Sequence, residues 1–432
     1  MTPKATMGSL FLCHRLPYPP NKGDKIRSYA LLRHLAKRGP VHLACFVDEA
    51  DDMKHLDTVR ALAGGDCYFE PMGKAAKIWR SLMGLASGKP LTTACFGSER
   101  LQAWVNRTLN TASIRDIVVF GSAMAPYVMQ TGANPGRVLF DMVDIDSDKW
   151  RQYAAVSRGA TQWLYGREAH KLEVLERDAA KAFGYTLLAS DYEAETFRRI
   201  APASAAKIAG LTNGVDLTNF SSAARENPFT ESELPIVMTG RMDYRPNHEG
   251  ALWFAREVFP KIAEKLPQAR AYFVGSGPPP ALRAAAGPKI IVTGTVADVR
   301  PYLQFARAVI APLHIARGVQ NKVLEAMAMA KPVVATRDAT RSLAAKPGEH
   351  FWVENEPARF AQAVMQALEG PERDIIAANG RKYVEEHHDW PTLLQDIDRY
   401  LEALNPACAQ ESSSKLRAVG LKSLELPAGC KS

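Results

Sequence analysis

Residues 293–336 read TGTVADVRPYLQFARAVIAPLHIARGVQNKVLEAMAMAKPVVAT, and the order of features in this stretch decides the fold. Two short runs, Ala308–Ala311 and Pro332–Ala335, have the length and apolar character of buried parallel strands. Between them, Gly318-Val319-Gln320-Asn321 opens a helix pattern over Lys322–Met329. Val323, Leu324, Met327 and Ala328 share one face of it. A glycine-bearing turn that opens a helix offers unpaired backbone N–H groups and the positive end of a helix dipole, an arrangement suited to phosphate. Lys322 adds a positive charge in the first turn, and Glu325, one turn on, can accept hydrogen bonds from sugar hydroxyls. Strand, turn, Lys, Glu and strand fall in the order that a ligand crevice at a sheet's carboxyl end requires.

The motif NKVLEAMAMAKPVVAT, with APL upstream, resembles the donor site of the family 4 (GT4) retaining glycosyltransferases. The resemblance implies an α/β GT-B fold: two Rossmann-like β/α/β domains facing a deep cleft. It implies that Glu325 holds the ribose hydroxyls of a nucleotide-sugar, while N–H groups around Gly318, Val319 and Gln320 meet its diphosphate or sugar. The family's second glutamate, eight positions earlier, is Arg317 here. Motifs elsewhere narrow the resemblance to sugar transferases associated with exosortase/PEP-CTERM exopolysaccharide systems, over about Leu10 to Leu404.

The 432 residues are 47% hydrophobic and 23% charged, which suits a globular chain of two domains. No apolar run approaches the roughly 18 residues of a membrane span. The first apolar run is too short for a signal peptide, and Met1–Thr6 reads as an untidy start. None of the six cysteines forms a CxxC pair, so small buried hydrophobes in a reducing cytoplasm account for them. Formal net charge of +8 points to an anionic partner. No nucleic-acid module accompanies it, which favours an anionic membrane surface over nucleic acid. The expected location is therefore cytoplasmic, peripheral on the inner face of the membrane.

The chain then reads as an acceptor domain over 1–220, a donor domain over 221–388, a helix over 389–405 and a disordered tail over 406–432. Strands are expected at Ser9–Cys13, Val41–Val47, Cys67–Phe69, Ile117–Phe120, Arg137–Val143 and Thr186–Ser190 in the first half. Ile236–Thr239, Arg270–Val274 and Lys289–Thr293 repeat the theme in the second. The loop after Cys13 carries Gly23, with Asp24 as expected N-cap of the helix bearing Lys25 and Arg27. A capped strand-to-helix turn explains it; the resemblance adds that related transferases keep a glycine-bearing loop here, facing the donor. Lys74–Ser87 patterns as an amphipathic helix with Ile78, Trp79, Leu82, Met83 and Leu85 on one stripe. Core packing fits this stripe, and so does a helix lying on anionic lipid with Lys74, Lys77 and Arg80 toward the head groups.

Asp141, Asp144 and Asp146 cluster at a strand end that faces the crevice. A metal site and a helix cap by Asp146 or Asp148 both fit. By the resemblance, Asp144 stands nearest the reacting carbon. Arg241, after Gly240 at another strand end, can fork onto the donor diphosphate. Pro246 stands where many relatives have a lysine, leaving Lys322 or Arg245 to supply that charge, and Val296 would sit by the nucleotide base. Asp191 is the expected cap of a further helix, His387-His388 a helix end.

The chemistry implied is transfer of a sugar from a nucleoside diphosphate sugar, the co-substrate, to an exopolysaccharide or lipid-linked precursor. Arg241, Lys322 and Asp144 are its catalytic groups, with no resident cofactor and no metal. Gly23, Arg241, Val296, Gly318, Val319, Gln320, Asn321, Lys322 and Glu325 form the donor site. Two other readings fit the sequence: a non-catalytic nucleotide-sugar-binding subunit of an export assembly, for which Arg317 speaks, and a GT-B epimerase of the sugar nucleotide itself.

Overall fold

The computed structural model describes residues 7–223, 225–316 and 318–405. The start Met1–Thr6, the Arg317 substitution and the tail 406–432 lie outside the described residues, as does the Lys74 side chain.

Apolar runs such as Leu10-Phe-Leu-Cys13 and Ile117-Val-Val-Phe120 are buried on both faces, which only helices covering both sides of a parallel sheet can achieve. The first half accordingly forms a seven-stranded parallel sheet. Its strands are β1 (Gly8–Cys13), β2 (Val41–Val47), β3 (Gly64–Pro71), β4 (Ile114–Phe120), β5 (Val138–Val143), β6 (Tyr185–Leu188) and β7 (Ile208–Gly210), in the order β3-β2-β1-β4-β5-β6-β7. The second half forms a six-stranded sheet of β8 (Leu234–Thr239), β9 (Ala269–Val274), β10 (Ile290–Gly294), β11 (Ala308–Ala311), β12 (Val333–Ala335) and β13 (Trp352–Val353). Its order is β10-β9-β8-β11-β12-β13. Both orders reverse direction beside their first strand, between β1 and β4 and between β8 and β11. Each reversal opens a crevice at the strands' carboxyl ends, where such sheets bind ligands.

Helix Trp390–Leu404 returns to the first sheet. Trp390, Leu393, Leu394, Ile397 and Leu401 pack with Phe11, Leu31 and Phe120 in one core, and Asp398 pairs with His34 at 2.8 Å.

Several local expectations change. β3 begins at Gly64, not Cys67, because register with β2 imposes extended backbone on the Gly64-Gly65-Asp66 run, which has little strand propensity of its own. The Gly23–Arg38 helix takes Lys22 as its N-cap residue; Asp24 instead binds His14 Nε2 at 3.2 Å and Arg15 Nη1 at 2.9 Å. Lys25 and Arg27 turn inward. Lys25 meets Asp52 at 2.6 Å, and Arg27 makes a two-pronged bond to Asp141 at 2.7 and 2.9 Å. Ser190, not Asp191, caps the Asp191–Ile200 helix, accepting from Glu193 N. The Asp146–Val156 helix has Asp146 and Asp148 in its first turn, but its cap comes from a distant carboxylate: Glu176 accepts from Ser147 N at 3.0 Å and from the Ser147 hydroxyl. Burial pushes the Glu176 carboxyl up to about 8.

The helix Lys74–Ala86 differs most from its pattern. Its apolar stripe does not enter the core: Ile78, Trp79, Leu82 and Met83 are each more than half exposed. Lys77 and Arg80 face the sheet instead, bonded to Asp48 at 2.9 Å and Glu70 at 3.0 Å.

Candidate active site

Strand β11 ends at Ala311, and the chain returns to the crevice at Gly318, whose φ of +57° a residue with a side chain adopts only at a cost. From there Val319 tucks into the second core, and Gln320 precedes the Asn321–Ala328 helix. The helix turns Val323, Leu324, Met327 and Ala328 inward, which fixes its N-terminus at the crevice.

Lys322 is drawn back into this crevice. Its Nζ donates to Asn247 Oδ1 at 2.6 Å, and the Asn247 amide in turn donates to Arg241 O at 2.7 Å. Gly240 allows this approach: a β-carbon there would stand 3.1 Å from Lys322 Nζ and 2.9 Å from Asn247 Nδ2. Burial lowers the Lys322 ammonium to about 8, partly offset by the charge of Glu325. Burial likewise lifts the Glu325 carboxyl to about 7, with Lys322 opposing the shift. The two ionised groups sit one helical turn apart, each costly to keep charged without a ligand.

The first sheet supplies the opposite wall. Val143, last residue of β5, has φ +70°, a rare setting for a β-branched residue. The turn it makes brings Asp144 Oδ1 to 2.9 Å from where a β-carbon on Gly318 would be. Gly23, at the start of its helix, lies opposite Asn321; a β-carbon there would meet only the Asn321 amide, at 3.8 Å. Space within the protein therefore does not demand glycine at this position. Asn213 Nδ2 donates to Asn321 Oδ1 at 3.2 Å, so both halves hold the start of the Asn321–Ala328 helix.

Arg241 is partly exposed and leans on acids. It pairs with Asp243 and reaches Glu49, two residues past β2, at 3.6 Å, while Glu49 also binds Lys22. Arg245 is turned away, bonded to Glu249 at 2.7 Å on an exposed face, whereas Lys322 lies buried inside the crevice. Val296 is half-buried, two residues beyond the end of β10, and packs on the second core. The three aspartates do not converge. Asp141 is taken by Arg27, Asp144 faces Gly318 and Asp146 begins a helix, and no group of three possible metal ligands stands together among the described residues.

Asn247, Asn213, Glu49 and Lys22 were not legible as site residues. Single polar residues in loops carry no periodic signal, and their roles come from partners 75 and 108 positions away. His14 is a further one: its ring stacks on Phe120 and borders Gly121 at the first crevice.

Comparison with solved structures places this architecture. Anabaena HepE, crystallised with UDP and glucose, superposes with a TM-score of 0.63 at 14% identity, over 92% of this chain and 100% of that one. Sucrose-phosphate synthase from Thermosynechococcus elongatus gives 0.65 at 16%, over 93% and 100%. WaaG, a glycosyltransferase involved in lipopolysaccharide biosynthesis, gives 0.62 at 16%, over 92% and 99%. The fold is GT-B. Residues 233–370, which hold β8 to β13 and the Asn321–Ala328 helix, match the family model of the glycosyl transferases group 1. No curated protein matches the chain.

Proposed function

We propose that the chain is a retaining, metal-independent GT4-type glycosyltransferase that moves a sugar from a nucleoside diphosphate sugar to an exopolysaccharide or lipid-linked oligosaccharide precursor. The exosortase-linked systems that its motifs resemble are the proposed setting, and the inner face of the cytoplasmic membrane the proposed place. One observation carries the reading. Within the segment that matches the group 1 model, the helix that opens at Asn321 carries Lys322 and Glu325 at the second sheet's crevice, and the Gly318 turn before it lies against Asp144 of the first sheet's crevice. Structural neighbours crystallised with UDP-glucose or with UDP and glucose support a nucleotide-sugar as the ligand.

In this reading Glu325 accepts the ribose hydroxyls, and the N–H groups from Gly318 to Asn321 bind the diphosphate. Cleavage of the bond between the sugar's anomeric carbon and the phosphate oxygen leaves its electron pair on the β-phosphate. Lys322 and Arg241 then stabilise charge that grows in the transition state, which lowers the barrier more than it tightens ground-state binding. The acceptor hydroxyl bonds to the face that the phosphate leaves, giving retention, and its proton passes to the departing phosphate oxygen. Asp144 stands beside the carbon where positive charge develops. Closure of the two sheets' crevices excludes water, which would otherwise hydrolyse the donor.

A thermal-shift screen against nucleotide-sugars tests the donor, since a ligand that binds only the folded state raises its melting temperature. Transfer of label from the stabilising donor to lipid extracts tests the reaction. No stabilisation by any nucleotide-sugar would sink the proposal.

A further inference from the structure

The Lys74–Ala86 helix is amphipathic, yet its polar side faces the protein. Lys77 bonds Asp48 and Arg80 bonds Glu70, and Gly84 packs closely on Ala94. These contacts fix the helix's rotation and leave the opposite side outward. That side carries Ile78 at 64% exposure, Trp79 at 65%, Leu82 at 57%, Met83 at 52% and Leu85 at 39%. Monomeric proteins rarely expose large apolar side chains in such a contiguous row unless something covers them.

The helix Gly159–Ala182 holds the segment that follows the Lys74–Ala86 helix and carries exposed apolar side chains of its own. Its Glu168 accepts from Leu91 N at 2.7 Å and Thr92 N at 2.8 Å, and its Arg167 donates to Lys89 O at 3.1 Å. One turn before Arg167, Trp163 is 64% exposed, and Val156 in the preceding helix is 71% exposed. Basic residues predominate within both segments. Residues 74–98 and 149–167 contain eight Lys and Arg and no Asp or Glu. Lys77, Arg80, Arg151 and Arg167 are matched by Asp48, Glu70, Asp148 with Glu173, and Glu168, and Lys149 lies by Asp146 and Asp144; Lys89 and Arg158 are exposed.

We infer that this face docks on an anionic lipid bilayer, with Trp79, Leu82 and Met83 entering the interface and the exposed cations meeting the head groups. Tryptophan beside apolar residues and lysines is the composition that interfacial helices use. A second copy of the chain is the weaker occupant. A thirteen-residue helix is about 20 Å long, and one face of it falls short of the roughly 800 Å² per partner in a stable interface. A like-charged rim would also repel its own copy. The inference deepens the proposed function and rests on it only for the acceptor's location: it names what holds the enzyme beside a membrane-borne acceptor.

The test is co-sedimentation of the full chain with phosphatidylcholine vesicles, with and without phosphatidylglycerol. The parent is expected to pellet with the anionic vesicles and to release as salt is added. The double variant Trp79→Ser/Leu82→Ser should partition about 100-fold more weakly, with its melting temperature and its stabilisation by nucleotide-sugar unchanged. Lys89→Glu/Arg158→Glu should lose the preference for phosphatidylglycerol. Undiminished pelleting of the first variant, no pelleting of the parent, or a lipid-free dimer that the first variant abolishes would each overturn the inference. Vesicle binding without any donor effect would instead remove the transferase reading and leave this one standing.

Discussion

The carboxylate of Asp144 occupies the space that a side chain on Gly318 would need: Oδ1 lies 2.9 Å from the position of a β-carbon there, at a residue whose φ is +57°. The wall of one crevice thus fits against the turn of the other only through a glycine. Gly318→Val should lower kcat/KM by at least about tenfold by pushing Asp144 and the donor helix apart. The left-handed setting adds about 1–2 kcal/mol of strain, read as a modest fall in melting temperature. Unchanged kinetics in a folded variant would place the Asp144–Gly318 contact outside the reaction.

Glu325 is held at the crevice by a helix whose other face is core. If its carboxylate accepts two ribose hydroxyls, each charge-assisted bond is worth about 1.5–3 kcal/mol. Glu325→Ala should then weaken donor binding by at least about 100-fold, with the melting temperature preserved. Calorimetric titration measures this, and equal affinities would exclude Glu325 from the donor site.

The same pair sets a pH dependence. In the proposed reading, donor binding needs Glu325 ionised and Lys322 protonated. Burial raises the first to about 7 and lowers the second to about 8. Affinity should therefore rise as pH climbs through about 7 and fall as pH passes about 8. Glu325→Gln should remove the acid limb and Lys322→Met the alkaline one. Flat affinity from pH 6 to 9 in the parent would contradict this assignment.

Glu49 binds both Lys22 and Arg241, two cations beside the crevice that a diphosphate would also attract. Glu49→Gln is expected to tighten donor binding several-fold, because the ligand no longer competes with a carboxylate. Arg241→Ala should lower kcat more than donor affinity, since its charge matters most as the phosphate departs. A Glu49→Gln variant that binds donor more weakly would mean that Glu49 positions these cations instead.

The sequence made the sheets and the donor helix legible because burial on both faces of a parallel sheet leaves unbroken apolar runs, as at Ile117–Phe120 and Ala308–Ala311. Glycine before Asn321 and Lys322 marked the turn that opens the helix for a similar local reason. What stayed hidden depends on partners far along the chain. Arg27 read as an ordinary helix cation, yet Asp141, 114 positions away, draws it into the core, where removing one partner costs about 3–5 kcal/mol. The stripe of Lys74–Ala86 had a clear period but no sign of which side faced in. Asp48 and Glu70 on the sheet decide that, by claiming Lys77 and Arg80.

His388 ends the chain's second half where it crosses back toward the first sheet. It is 2% exposed, its Nδ1 bonds Asn213 O at 2.8 Å, and its own carbonyl accepts from Val215 N at 2.7 Å. Burial lowers its imidazole to about 4 from an ordinary 6.5, with the Asn213 bond opposing. The folded state thus keeps it neutral while the unfolded chain takes up a proton. Between pH 6.5 and 4 the unfolded state binds more protons, so stability is full above about 6.5 and falls as pH drops. Acidification from pH 7.5 to 5 should remove about 2 kcal/mol through this residue alone. Asn213 also holds Asn321, so acid should loosen the donor helix along with the crossing. Urea denaturation of the parent and of His388→Asn at both pH values measures the effect. The variant is expected to start less stable and to lose about 2 kcal/mol less on acidification; equal losses in the two proteins would show that His388 does not carry the acid sensitivity.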